Sequence, residues 1–212
     1  LGKGFCEELS TYLKLHYHNS KADTMVSFME RLMSFCADNG KMAMINLPSW
    51  MFLSTFEKLR KSLLDECHID SLIHMGRGIF GIDWGAVAFC YCKCKSTAQG
   101  QFFRLHERNF QHIYYQHIGQ LFLKVKADHN FKYDFTTYRD EDVASIEVFD
   151  FKHSDCGKQL FFEASQDNFE KIPGCPIGYW VSPIIQEIFT SNLALSAVAS
   201  PCVGLQTADN AR

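Results

Sequence analysis

The feature that most constrains this chain is the alternation of hydrophobic period between residues 20 and 95. Met25, Phe28, Met29, Leu32, Met33 and Cys36 recur at intervals of three and four, the mark of one helix face. Asn39-Gly40 follows as a left-handed stop. Residues 42–47 form a continuous apolar run of strand length, which predicts a parallel strand buried on both faces, ended by Pro48. Residues 54–66 return to helical spacing. There Phe56, Leu59, Leu63 and Leu64 are expected to face a sheet, and Lys58, Arg60 and Lys61 to face water. Residues 68–75 and 86–92 read as strands joined by a loop over 76–85. The series helix, strand, helix, strand, loop, strand is the back half of a doubly wound α/β sheet ending in a β-hairpin.

Around this unit the signals differ. Leu9, Tyr12, Leu13 and His16 predict a short helix, and Ser20 is expected to cap the next one, with Asp23 in its first turn. After Lys95 comes a turn cluster at 96–100 and a strand-like stretch at 101–105. Residues 106–157 are polar and aromatic without sustained period and read as helix and irregular connection. Residues 158–172 approach an Ile-Pro-Gly loop, and Ser182-Pro183 predicts a helix start with proline in its first position. The chain therefore divides into a sheet unit at 1–95, a connecting segment at 96–157, a strand–loop–helix segment at 158–202, and a Gly/Thr/Asp/Asn-rich tail at 203–212. After the sheet unit the architecture is expected to be mixed α+β.

Composition narrows the function classes. With 212 residues, 47% of them hydrophobic, the chain has material for one domain, or one domain and part of another. A formal net charge of −3 means that nucleic-acid binding would need a local basic face. The 9 cysteines are odd in number and lack framework spacing, which predicts reduced thiols in a cytoplasm. No signal peptide is expected, and no apolar stretch of these residues is long enough to span a bilayer.

Several short motifs bear on chemistry. Gly76-Arg77-Gly78-Ile79-Phe80-Gly81 matches the spacing of a dinucleotide loop, but a strand rather than a helix is expected next, so a hairpin loop is the better reading. Cys90, Cys92 and Cys94 alternate on one strand, with His153 and Cys156 as imaginable partners for zinc. Such positions converge poorly on one ion, and no C-x-x-C pair is present. There is no G-x-S-x-G and no evident carboxylate pair. Phe28 lies on the apolar face of its helix, so core packing is the default. Phe80 differs: a large aromatic in a glycine-rich loop gains little burial there and can serve as a platform for a flat ligand, a nucleobase included.

Taken together, SKADTMVSFMERLMSFCADNGKMAMINLPSWMFLSTFEKLRKSLL, IDSLIHMGRGIFG and GAVAFCY resemble the γ-type adenine-N6 DNA methyltransferases. NFEKIPGCPIGYWVSPIIQEIF and GLQTADN narrow the resemblance to the large adenine-specific methyltransferases of the BREX (phage-growth-limitation) defence systems. The resemblance covers 1–95 and about 158–210, with the Ile-Pro-Gly-x-Pro-Ile-x-Tyr-Trp-Val-Ser segment its most specific part. Ala208 stands where that family usually has Gly.

The resemblance implies a Rossmann-like fold of which this chain is the C-terminal half, a cofactor, S-adenosylmethionine, and a substrate, an adenine flipped out of double-stranded DNA. It implies that Phe80 stacks on the flipped base, that Phe28 packs against the cofactor's adenine with Asp23 nearby, and that Pro48 and Trp50 wall the substrate pocket. The family's Gly-rich cofactor loop and Asn-Pro-Pro-Tyr motif are absent from these residues, and 203–212 correspond to the start of its DNA-recognition region. The chain alone is therefore expected to be inactive and to have an N-terminal half or other defence-system proteins as partners. Self-association is expected where no partner covers its sheet. The competing expectation is a non-catalytic interaction module, or a degenerate methyltransferase remnant.

Overall fold

A computed structural model describes residues 4–81, 84–107, 113–139, 143 and 146–200. The helices are α1 (Glu7–His16), α2 (Thr24–Phe35), α3 (Glu57–Glu66), α4 (Tyr115–Ala127), α5 (Asp167–Glu170) and α6 (Pro183–Ser191). The strands are β1 (Lys41–Asn46), β2 (His68–Gly76), β3 (Ala86–Cys92), β4 (Gly100–Arg104), β5 (Lys132–Tyr133), β6 (Lys158–Gln159) and β7 (Phe161–Ala164). The expected tail at 203–212, with GLQTADN and Ala208, lies outside the described residues.

A five-stranded sheet in the order β1-β3-β2-β4-β7 organises the fold. Strands β2 and β3 form the expected hairpin, pairing antiparallel. Strand β3 also pairs antiparallel with β1, so it lies between β1 and β2, which run the same way. Strand β4 pairs parallel with β2, and β7 closes the row antiparallel to β4. The carboxyl ends of β1, β2 and β4 thus share one edge of the sheet, the edge on which open α/β sheets gather ligands.

The hairpin does not end the sheet. Strand β4 extends it beyond the expected boundary at residue 95, and β7 rises from the stretch read as loop approach. The reason is non-local. Phe102 and Phe103 bury opposite faces of β4 in two different aromatic clusters, and period alone does not reveal the partner strand. The first cluster packs α2, α3 and the loop after β1 against the sheet. The second is the aromatic middle of the chain. Leu121 and Val125 of α4 join Phe131, Tyr133, Phe135, Tyr138 and Phe151 there, at 7% exposure or less. His117 is fully buried at its edge, bonded through Nδ1 to the Tyr138 hydroxyl at 2.8 Å.

Three expectations need correction. Strand β1 is not buried on both faces: Lys41, Ala43 and Ile45 are exposed, Ile45 at 56%. Met42 and Met44 pack inward, and among the described residues nothing covers the other face. Helix α2 is capped by Asp23, not Ser20. The Asp23 carboxylate accepts from the Met25 amide at 3.0 Å, while Ser20 donates to Glu30.

Arg60, expected in water, is 1% exposed. Its guanidinium donates to the carbonyls of Trp50 at 2.8 Å, Leu53 at 2.7 Å, Gly174 at 2.6 Å and Cys175 at 3.0 Å. Gly174 (φ 82°) and Cys175 (φ 48°) are both left-handed, and both of their carbonyls reach this one cation. The Ile-Pro-Gly-Cys-Pro segment is therefore bonded to α3 more than a hundred residues away. Removing the guanidinium would leave several carbonyls without a donor around the vacated space. Arg60→Met is expected to cost on the order of 3 kcal/mol in urea unfolding. Arg60→Lys should recover little of it, because one ammonium cannot reach both loops.

Candidate functional site

The carboxyl edge is where the sheet opens into a cavity of about 700 Å³, with Pro48, Phe52, His74, Arg104 and Trp180 among its walls. Each wall arrives for a local reason. Pro48 opens a one-turn helix at Pro48–Met51 directly after β1. Gly85 leads into β3 so close by that a Cβ on it would lie 3.1 Å from Pro48 Cγ. Gly76 ends β2 with φ 82°, and a Cβ there would meet the His106 Cβ at 2.6 Å. Glycine is thus needed at position 76 both for its conformation and for the approach of the chain after β4.

Trp180 is delivered by the segment most specific in the sequence. The Ile177 amide donates to the Met51 carbonyl at 3.0 Å, and Tyr179 stacks on Phe102 at 4.8 Å and 13°. Trp180 then stands edge-on to Tyr179 at 4.8 Å and meets Phe52 at 5.6 Å. Above Trp180 lies the Arg104 guanidinium, 4.8 Å from the ring centroid, a cation–π contact.

Within the cavity lining, His74 and His106 lie with ring centroids 4.1 Å apart. Burial, then His106 and Arg104, hold His74 well below the ordinary histidine range. Burial and Arg104 push His106 down to about 4. Both rings are therefore neutral at pH 7. The His74 Nδ1 lies 3.4 Å from the Tyr179 hydroxyl, while His106 Nε2 is buried without a protein partner. Neither histidine carries a local signal in the sequence, because only the parallel pairing of β2 with β4 brings them together.

The sequence-predicted residues fall in different places. Phe80 lies in a short turn (Ile79–Gly81) of the β2–β3 connection, with Ile79 2% exposed as its anchor. Its ring is 62% exposed and its backbone left-handed, φ 61° and ψ 23°. A non-glycine residue rarely adopts that conformation, and such strain clusters at functional sites. The connection joins antiparallel strands, so the glycine spacing there forms no strand-to-helix dinucleotide loop.

Phe28 is also 62% exposed, so the core default does not hold; Val26, Met29 and Met33 take the buried face of α2 instead. With Tyr12, Leu13, Tyr17 and Arg31 it lines a cleft of about 160 Å³ between α1 and α2. Asp23 spends its carboxylate on the helix cap. Trp50 is fully buried and packs edge-on against Phe89 at 5.2 Å, so it supports the cavity from behind, and the surface there belongs to Pro48 and Phe52. Among the described residues no group of three or more His, Cys, Asp or Glu side chains is placed to hold a metal ion.

Comparison with known proteins bears on this geometry. Residues 3–80 match the model of the Eco57I restriction-modification methylase family. The chain is 29% identical over 212 residues to the adenine-specific methyltransferase BrxX of Escherichia coli O9:H4 (strain HS), covering 97% of this chain. It is 30% identical over 206 residues to the adenine-specific methyltransferase PglX of Lacticaseibacillus casei (strain Zhang), covering 96% of this chain. The resemblance to BREX-type adenine-specific methyltransferases is borne out. It extends through the middle of the chain, which the sequence motifs alone had not reached. The chain spans 14% and 15% of the length of these two relatives. Among solved structures, a modification subunit of a putative type I restriction enzyme from Vibrio vulnificus aligns with TM-score 0.49 and 10% identity, over 74% of this chain and 31% of its own. The methyltransferase subunit of a type I restriction-modification system from Streptococcus thermophilus aligns with TM-score 0.48 and 16% identity, over 80% and 34%. No helix of the described residues is long and apolar enough to cross a membrane.

The histidine pair makes a prediction for stability. A histidine held low in the folded state binds its proton more readily when unfolded, so the contribution of burying it neutral is complete above about pH 6.5. It is lost as pH falls toward 4, the value to which His106 is pushed. Urea midpoints measured from pH 7 to pH 4.5 should fall, and more steeply for the native chain than for His106→Gln.

Proposed function

We propose that this chain is the base-binding half of an adenine-N6 DNA methyltransferase of a bacterial phage-defence system, working in the cytoplasm on double-stranded DNA. The observation that carries the reading is Phe80: an exposed aromatic ring on a left-handed loop, above the carboxyl edge of a sheet whose strands pair as β1-β3-β2. Unstacking an adenine costs a few kcal/mol, and an aromatic face returns about 1–3 kcal/mol per base. Phe80 closes one face of the flipped base, and Pro48 limits its position from the end of β1.

S-adenosylmethionine supplies the methyl group when bound. The residues present fit its adenine in part: Phe28 offers an open aromatic face in the cleft between α1 and α2. Asp23 acts on that cleft by fixing the start of α2, since its carboxylate is engaged in the cap. The exposed face of β1, and its edge, which no described strand pairs, would seat the N-terminal half of the catalytic domain, which brings the groups that accept hydrogen bonds from the adenine amine. The 212 residues contain no Asn-Pro-Pro-Tyr, so methyl transfer by the purified chain is not expected.

Two measurements test the reading. A duplex with a bulged 2-aminopurine should brighten or quench on binding the chain, and Phe80→Ala should weaken binding about tenfold, the loss of one stacked base. An unchanged affinity for Phe80→Ala would remove the base from this loop. Titration calorimetry with S-adenosylmethionine should show weak saturable heat that Phe28→Ala abolishes. Equal heats from both proteins would place the cofactor elsewhere.

A further inference from the structure

The cavity lined by Gly76, Arg77 and Gly85, at the two ends of the loop that carries Phe80, adjoins a second one of about 410 Å³, and the two share Arg104, His106, Glu107 and Trp180. Lys158 and Gln159 of β6 line the far end. Together they make a groove that starts at Pro48 and runs along the carboxyl edge. Its charges are uneven. Glu107 is paired with Lys158 at 3.7 Å, which leaves that end neutral. Arg104 has no carboxylate partner and donates no side-chain hydrogen bond among the described residues; its guanidinium rests on the Trp180 face. A half-buried guanidinium with its N–H fork unused is an incomplete arrangement, since those donors pair best with a carboxylate or phosphate in two-point geometry. Beside it His106 Nε2 is buried and unpartnered on a ring that lines both cavities.

We propose that Arg104, laid flat on Trp180 with His106 beside it, is a phosphodiester-binding subsite that holds the DNA backbone next to the base at Phe80. This deepens the proposed function and rests on it for the position of the base. A DNA strand fits better than a free phosphate because the groove extends to both sides of Arg104 and one end meets the base-side wall. Arg104, in a cavity that Arg77 also lines, supplies a local cation of the kind a chain of net charge −3 needs in order to approach DNA. Phosphate contacts fix register rather than sequence, so Arg104 acts as a positioning residue.

The test uses the 212-residue chain and a fluorescent duplex with a bulged 2-aminopurine. Anisotropy gives affinity across a salt series, and 2-aminopurine emission reports the base. Arg104→Gln should weaken binding about tenfold whatever the flanking sequence and flatten the salt slope by about one, as for one lost phosphate contact. Arg104→Lys should keep the slope and lose part of the affinity. Circular dichroism and urea midpoints matching the native chain would show that both variants fold. A changed 2-aminopurine signal with an affinity and slope indifferent to Arg104→Gln overturns the subsite and spares the base reading. An Arg104-dependent slope with a silent 2-aminopurine keeps the subsite and removes the base reading. No binding at 50 mM salt overturns both. Arg104-dependent binding of inorganic phosphate that leaves duplex affinity untouched would assign the site to the free anion, and overturn the proposal. A misfolded Arg104→Gln would pass the decision to Arg104→Lys, whose slope must then match the native one for the proposal to stand.

Discussion

The buried guanidinium of Arg60 holds the site together. Four carbonyls from two loops converge on it: Trp50 and Leu53 after β1, Gly174 and Cys175 before Trp180. Without a common donor these loops would each leave polar oxygens in a low-dielectric interior, at a cost of about 1–3 kcal/mol apiece. With it, Pro48 and Phe52 on one side and Trp180 on the other become opposite walls of one cavity. The charge stays on Arg60 despite burial because the carbonyl dipoles replace the water it gave up. The two left-handed residues at 174 and 175 are the backbone's adjustment to that convergence.

The sheet sets a second constraint. Insertion of β3 between β1 and β2 turns the chain back along itself, and the connection that makes this return carries Phe80. The ring is thereby held at the carboxyl edge without being packed into it. Ile79 anchors the turn in the core while Phe80 remains exposed, so the position is fixed but the aromatic face is free. Strand β4, parallel to β2, then places His106 against Gly76 and Arg104 over Trp180. Phe80, the histidine pair and the Arg104 guanidinium come from the ends of two strands, β2 and β4, that are distant in sequence and share one edge.

Much of this was legible in advance. The periods of residues 20–95 give α2, β1, α3, β2 and β3 in order, and the Ser182-Pro183 start of α6 is observed, with the Ser182 hydroxyl accepting from the Ile185 amide at 3.4 Å. Phe80 was singled out because a large aromatic in a glycine-rich loop has no burial to gain, and it is exposed. Arg60 was misplaced because helical spacing reports which face a residue occupies, and not whether carbonyls from elsewhere wait on it. For Phe28 the helical stripe gives only the core default, and that default fails: Phe28 shares the apolar stripe of α2 yet is exposed on the cleft beside α1.

The sequence by itself determined the order and type of the local elements, the loop that carries Phe80, and the resemblance to adenine-specific methyltransferases. These follow from short-range periodicity, turn chemistry and motifs, all of which are properties of contiguous residues. The tertiary structure alone decided that β4 and β7 join the sheet, that Arg60 closes the two loops, and that His74, His106, Arg104 and Trp180 line one groove. Each of these depends on strand pairing or hydrogen bonding across tens of residues or more. Such partners compete on packing and desolvation of the whole fold, and no local signal distinguishes the pair that wins.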